Sequence, residues 1–182
     1  MSVTIDWIPL GAGGRVVARC GRVYEALAAR RDRRPPQQLV HAALTVEVDG
    51  RRWVVEQAPA WGGPAGGRGV VATGPVGFGF LGRVRLFRYE VRCWPDGTID
   101  DLGEAIARPT VSEDADAARR TLAAVRRVPV HTWGRRAAGT SEMWNSNSVV
   151  AWALTTAGLD VAHGPVPEGC RAPGWASGVE AA

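Results

Sequence analysis

Two β-rich runs separated by Asp49-Gly50 constrain the fold of this 182-residue chain more than any other feature. Residues 39–48 and 51–58 are rich in β-branched and other strand-forming residues. An Asp-Gly pair between two such runs is typical of a two-residue β-hairpin turn. With these two residues in the turn, Val48 pairs with Arg51, and the register of the whole hairpin is set.

The hairpin register predicts that one histidine and one carboxylate share a face of the sheet. Ala43 falls opposite Glu56 and His41 opposite Ala58, so His41 and Glu56 are diagonal neighbours. A carboxylate beside an imidazole fixes its tautomer and raises its basicity. A purely structural role is the alternative for each residue. His41 is then a partly buried strand histidine whose hydrogen bond is satisfied by Glu56, or Glu56 is a surface acid paired with Arg52. The other face is apolar and is predicted to enter the core through Leu44, Val46, Val48, Trp53 and Val55.

The remaining elements follow from periodicity and turn residues. They are a strand over 3–9, a helix over 21–33, a Gly-rich loop or flap over 61–82 that includes Trp61, a strand over 83–94, a helix from Thr110 to about Arg127, a helix over 146–157, and irregular chain after Asp160. The first helix is expected to turn Val23, Tyr24, Leu27 and Ala28 to one apolar side. The second has capping-box spacing over Thr110–Glu113 and is expected to bury Ala117, Leu122 and Val125. The glycines at 11–14 are interpreted as a plain turn, because the third glycine position of a dinucleotide-binding loop is occupied by Val16.

Four small polar residues, 145–148, precede the apolar run of the helix over 146–157. Asn and Ser side chains accept hydrogen bonds from the free N–H groups of a first helical turn, so one interpretation is simply a well-capped helix. The other is a nucleophile, because the positive end of the helix dipole favours a developing anion, and Ser146 is the candidate. Asn145, Asn147 and Trp144 are the candidate substrate-binding residues. Trp144 fits a core position as well.

Composition excludes several classes of function. The net charge is +4, all basic residues are arginine, and they are dispersed along the chain, so no nucleic-acid partner is predicted. The three cysteines are far apart, which favours reduced thiols in a cytoplasmic protein over a disulfide framework. His41, His131 and His163 are too scattered to predict a metal site, and no cofactor is expected. We see no signal peptide and no transmembrane segment.

Three short segments taken together resemble the circularly permuted branch of the papain-like superfamily, which includes NlpC-like endopeptidases and the lecithin:retinol acyltransferase group. They are Leu39–Leu44 with its histidine, Val54–Glu56, and Asn145–Ser148 running into a helix. The phrases at 7–14 and 21–27 also resemble those of an uncharacterised bacterial group with this layout. The resemblance covers about residues 37–160 of a single domain spanning 1–182. It implies an α+β fold in which an antiparallel sheet packs against the helix that carries the nucleophile.

The resemblance also implies a catalytic set. His41 matches the base, Glu56 the orienting polar residue, and Ser146 the nucleophile, where the family has cysteine. A serine hydroxyl stays protonated until attack, so His41 has to take its proton. The implied function is a hydrolase, amidase or acyltransferase that forms an acyl-enzyme on a peptide-like amide, a lipid or a small ester. The alternatives are a degenerate, non-catalytic relative that binds a peptide or acyl ligand, and a domain whose pocket serves only contact with a partner. Substrate and oligomeric state are not indicated by the sequence.

Overall fold

A computed structural model describes residues 1–12, 15–60, 69–99, 101–162 and 164–182, without the side chains of residues 15–18. The expectations for Gly13-Gly14, Trp61 and His163 lie outside the described residues. The strands are β1 (Ser2–Pro9), β2 (Gln38–Val48), β3 (Arg51–Pro59), β4 (Val70–Pro75), β5 (Arg88–Pro95), β6 (Thr110–Ser112) and β7 (Cys170–Arg171). The helices are α1 (Arg15–Arg31), α2 (Ala115–Val125), α3 (Ser146–Thr156) and α4 (Trp175–Glu180). Within these ranges no helix is long and apolar enough to cross a bilayer.

One sheet organises the fold and confirms the α+β class. Its strand order is β4-β5-β3-β2-β1-β6, with every neighbouring pair antiparallel, and β7 adds a short parallel pairing to the start of β2. The predicted hairpin is confirmed from Val48–Arg51 to Leu44–Val55, and Asp49 and Gly50 both have positive φ, as a type I′ turn requires. The predicted pairings of Ala43 with Glu56 and of His41 with Ala58 are wrong, because the pairing of β2 with β3 ends at Leu44. The predicted strand over 3–9 is confirmed as β1.

The two faces of the sheet carry different layers. Alternate residues of β2, from Val40 to Val48, join the main core with α2, α3 and α4. The intervening residues face a smaller apolar cluster, in which Ala43 packs with Ile8, Val54 and Ile99. Helix α3 therefore covers one face of the hairpin, and the segment around Ile99 covers the other.

Helix α1 corrects the expectation for 21–33 in both extent and orientation. It begins at Arg15, and Val23 and Leu27 of the predicted apolar side are 61% and 66% exposed. Ala28 is buried as predicted, but it shares the buried side with Glu25 and Ala29. Glu25 is held there by arginines from outside the helix, and this charge pairing overrides the apolar pattern that the sequence suggests.

Three other expectations are corrected. The capping-box position is wrong, because Thr110–Ser112 is a strand and Asp114 is the N-cap of α2, accepting hydrogen bonds from the N–H groups of Asp116 and Ala117. Part of the predicted 61–82 loop is strand β4, and β5 begins only at Arg88, after two short 3-10 helices, Gly79–Arg83 and Arg85–Phe87. The chain after Asp160 is not wholly irregular, since it contains β7 and α4. Helix α3 ends as predicted, with Gly158 at positive φ.

Gly178 sets how closely α4 approaches α3. A Cβ at this position lies 2.3 Å from the carbonyl oxygen of Ser148 and 2.7 Å from Cβ of Ala151. Gly178→Ala is therefore expected to push the helices apart and to lower the free energy of unfolding by about 1–3 kcal/mol. Urea unfolding measures the change. Gly103→Ala is the matched control, because a Cβ there meets nothing within 4 Å. Equal stability of the two variants contradicts the close approach.

Candidate functional site

His41 lies on the sheet face opposite α3. It pairs directly with Ile8 of β1, and directly paired residues share a face. Ile8 and Ala43, two residues along from His41, both belong to the smaller apolar cluster, whereas Val40 and Ala42 pack in the core with α3. Burial lowers the pKa of His41 below its ordinary value, and the nearby Asp101 opposes part of that shift. His41 is therefore a neutral imidazole at pH 7.

Glu56 lies on the same face as His41, as the sequence predicts, but its carboxylate pairs with Arg92 on the neighbouring strand. Arg92 Nη1 is 2.7 Å from Glu56 Oε1, and its Nε is 3.1 Å from Glu90 Oε2. All three side chains are at least four-fifths buried. The guanidinium thus links two carboxylates on adjacent strands, in a charge cluster that the sequence did not predict.

The start of α3 is a fully formed helix cap. Asn145 is the N-cap, and its Oδ1 accepts hydrogen bonds from the N–H groups of Asn147 and Ser148. Ser148 Oγ accepts from the Asn145 N–H at 3.1 Å and donates to the Gly174 carbonyl at 2.7 Å. The two residues form a reciprocal capping box, which satisfies the donors that a helix N-terminus leaves free.

Asn147 joins α3 to the strand that carries His41. Its Oδ1 accepts from the Ala42 N–H at 2.7 Å, and its Nδ2 donates to the carbonyls of Val40 and Pro173 at 3.1 and 2.9 Å. The Leu39 carbonyl accepts from Leu10, at the end of β1, so the backbone groups of Val40 and Ala42 point to the opposite edge of β2. On that edge β3 pairs with β2 only between Leu44 and Val48, which leaves Val40 and Ala42 without a partner in β3. The Asn147 amide takes the place of the missing strand partner.

Ser146 is the first residue of α3 and is 8% exposed. Within the described part of the chain its hydroxyl has no hydrogen-bond partner, unlike the side chains of its three polar neighbours. The hydrogen bonds of Asn147 to Val40 and Ala42, the two neighbours of His41 in sequence, hold the start of α3 against this part of β2. Within the described residues no hydrogen bond joins the His41 side chain to Ser146, and His41 lies on the sheet face opposite the one that packs against the apolar side of α3.

Trp144, a candidate substrate-binding residue, is fully buried in the main core and has no exposed surface for a substrate. Its ring packs edge-on against His131 with centroids 4.6 Å apart. His131 accepts a hydrogen bond through its carbonyl from the Tyr89 hydroxyl at 2.8 Å, and burial lowers its side-chain pKa. His131 thus packs against the main core that α3 joins, which sequence spacing alone did not indicate.

A cavity of about 380 Å³ opens between α1 and the start of β2. Its walls are mostly apolar, from Leu10, Gly21 and Leu39 together with two prolines, and Arg22 lies at its exposed edge. Buried Glu25 closes one side. Sequence reasoning missed this cavity because its lining comes from three separate segments, none of which carries a motif.

Comparison of the chain with protein-family models, with curated proteins and with solved structures finds no match. The fold and the site define the protein as an α+β domain built on one antiparallel sheet.

Proposed function

We propose that this protein is a non-catalytic binding module with a permuted papain-like layout, which holds a peptide-like or acyl ligand. The observation that carries the proposal is the placement of His41 relative to α3. His41 shares its face with Ile8 and Ala43, and α3 packs on the other. A general base has to lie within hydrogen-bond reach of the proton that it removes.

The polar groups at the start of α3 support the same proposal. The side chains of Asn145, Asn147 and Ser148 are all hydrogen-bonded to the protein's own backbone. Glu56, the expected partner of the imidazole, is ion-paired with Arg92 instead. Residues that would bind substrate and orient a base in an enzyme here stabilise the fold.

The cavity beside α1 is the ligand site in this proposal. Its volume falls within the range of small-molecule sites in proteins, and an apolar lining with few polar groups is typical of them. The apolar walls suit an acyl chain or an aliphatic side chain. The exposed guanidinium of Arg22 suits the carboxylate of a fatty acid or of a peptide C-terminus.

Decanoate titration tests the site. The wild-type protein is expected to bind decanoate saturably, and Gly21→Leu is expected to weaken binding at least tenfold. A Cβ at Gly21 already lies 2.7 Å from Leu10 Cδ2, so a leucine there fills the cavity. Gly103→Leu is the matched control, because it adds the same side chain in open space. Calorimetry measures the affinity. Equal binding by both variants, or no binding by the wild type, contradicts the ligand site.

A serine hydrolase or acyltransferase is the second candidate function. It is favoured by one observation: Ser146 keeps a hydroxyl without a hydrogen bond, within the described residues, at the N-terminus of α3. Intact-mass analysis after treatment with a fluorophosphonate separates the two functions. A single adduct that is lost in both Ser146→Ala and His41→Ala overturns the non-catalytic proposal. A wild-type protein that binds decanoate and forms no adduct supports it.

A further inference from the structure

Several exposed large apolar side chains lie close together in the sequence between Phe78 and Phe87, in a segment that we call the Phe78–Phe87 loop. It contains two short 3-10 helices, Gly79–Arg83 and Arg85–Phe87, that lead into β5. Five large apolar side chains of this loop are between 38% and 71% exposed. They are Phe78, Phe80, Val84, Leu86 and Phe87. The Phe78 and Phe80 rings lie 5.8 Å apart, and a cluster of exposed apolar side chains often marks an interaction site.

The loop is held in this exposed arrangement by hydrogen bonds at its base. The Val76 N–H donates to the Phe87 carbonyl at 2.8 Å, and the Gly77 N–H donates to the Trp133 carbonyl at 2.9 Å. Arg88 donates to the carbonyls of Gly82 and Arg83. Because its backbone is fixed, the loop cannot bury its apolar side chains by folding back without breaking these bonds.

The segment of sequence that contains the loop carries charge of a single sign. Between Gln57 and Tyr89 the sequence contains four arginines and no aspartate or glutamate. Arg83 and Arg85 are exposed within the loop, and the guanidinium of Arg135 lies 4.1 Å from the centre of the Phe78 ring. Apolar side chains flanked by arginines are complementary to a surface that is both anionic and able to accept apolar groups.

We propose that the Phe78–Phe87 loop docks the protein on an anionic lipid bilayer. The aromatic and aliphatic side chains enter the interfacial region, and the arginines contact lipid phosphates. A bilayer is favoured over an acidic protein partner because some guanidinium N–H donors near the loop are already hydrogen-bonded within the protein. Arg85 donates to the Ala60 carbonyl and Arg135 to the Gly77 carbonyl. Long-range attraction to a charged surface does not need the directed pairing that a protein carboxylate would.

Vesicle cosedimentation of the whole chain tests the proposal. The wild-type protein is expected to bind vesicles containing about one-third phosphatidylglycerol at least tenfold more tightly than pure phosphatidylcholine vesicles. The double variant Phe80→Ser/Leu86→Ser is expected to weaken binding at least tenfold, because each buried side chain contributes about tenfold or more. Arg83→Gln is expected to weaken binding about fivefold.

The matched control is Val23→Ser/Leu27→Ser, which removes two equally exposed apolar side chains from α1. It is expected to bind like the wild type. Absence of wild-type binding to anionic vesicles, or equal binding by the two double variants, overturns the proposal. Tight binding to polyglutamate without vesicle binding assigns the loop to an acidic protein partner. A dimer that is lost only in Phe80→Ser/Leu86→Ser assigns it to a second copy of the chain, and either result also overturns the proposal. Decanoate affinity is expected to stay unchanged in both variants, so this test is independent of the ligand cavity.

Discussion

Asn147→Ala is expected to lower the free energy of unfolding by about 3–5 kcal/mol. The Asn147 side chain is 2% exposed and satisfies three backbone groups, the Ala42 N–H and the carbonyls of Val40 and Pro173. Removing it leaves the Ala42 N–H and the Val40 carbonyl without partners, whereas the Pro173 carbonyl still accepts from Asn145 Nδ2 at 2.8 Å. Each buried orphan costs about 1–3 kcal/mol. Urea unfolding monitored by tryptophan fluorescence measures the loss.

Ser146→Ala is the control for the Asn147 variant. Ser146 is the adjacent residue on α3, and its hydroxyl makes no hydrogen bond within the described residues, so the expected change is below about 1 kcal/mol. Asn147→Asp distinguishes the contribution of the amide oxygen Oδ1 from that of the amide nitrogen Nδ2. Its carboxylate still accepts from Ala42 but repels two carbonyls, so it is expected to be at least as destabilising as alanine. A loss below about 1 kcal/mol in Asn147→Ala contradicts its role as a substitute strand partner.

Local sequence signals predicted the elements whose cause is local. The Asp49-Gly50 turn fixed the register of β2 and β3, because positive φ at both positions selects a type I′ turn. Gly158 ended α3 for the same kind of reason. The capping residues before α3 were recognised from their chemistry alone, and the structure shows the capping box that they form.

Long-range relations were not predictable in the same way. The alternation of the hairpin shows that His41 and Leu44 point to opposite faces, but it does not show which face α3 covers. That choice depends on the path of the chain over about a hundred intervening residues. The burial of Glu25 depends on Arg171, far along the sequence, and no periodicity in α1 encodes it. The apolar pattern of α1 therefore predicted the wrong buried side.

Protonation of Glu25 alone is expected to lower the free energy of unfolding by about 3 kcal/mol as the pH falls from about 4.5 to about 2. The Glu25 side chain is 4% exposed and pairs with Arg34 and Arg171, and it also accepts a hydrogen bond from the Gln37 N–H at 2.9 Å. The Arg34 guanidinium is the main cause that holds the pKa of Glu25 at about 2, against 4.5 for an ordinary glutamate, although burial opposes the shift.

The sign follows from linkage between proton binding and folding. The pKa of Glu25 is lower in the folded state, so the unfolded chain binds the proton first as the pH falls. The contribution is complete above about pH 4.5 and is lost progressively toward pH 2, at about 1.4 kcal/mol per unit of pKa difference.

Urea unfolding at several pH values, for the wild type and for Glu25→Gln, isolates this contribution. The variant cannot ionise at this position, so it is expected to be less stable than the wild type by about 3 kcal/mol at pH 7. The gap should narrow as the pH approaches 2. Asp49→Asn is the control, because Asp49 is an exposed carboxylate paired with exposed Arg119, and such pairs contribute little. A gap between wild type and Glu25→Gln that stays constant with pH contradicts the buried ion pairs as its cause. It would assign the loss instead to altered packing of α1 against the cavity, which no proton uptake can change.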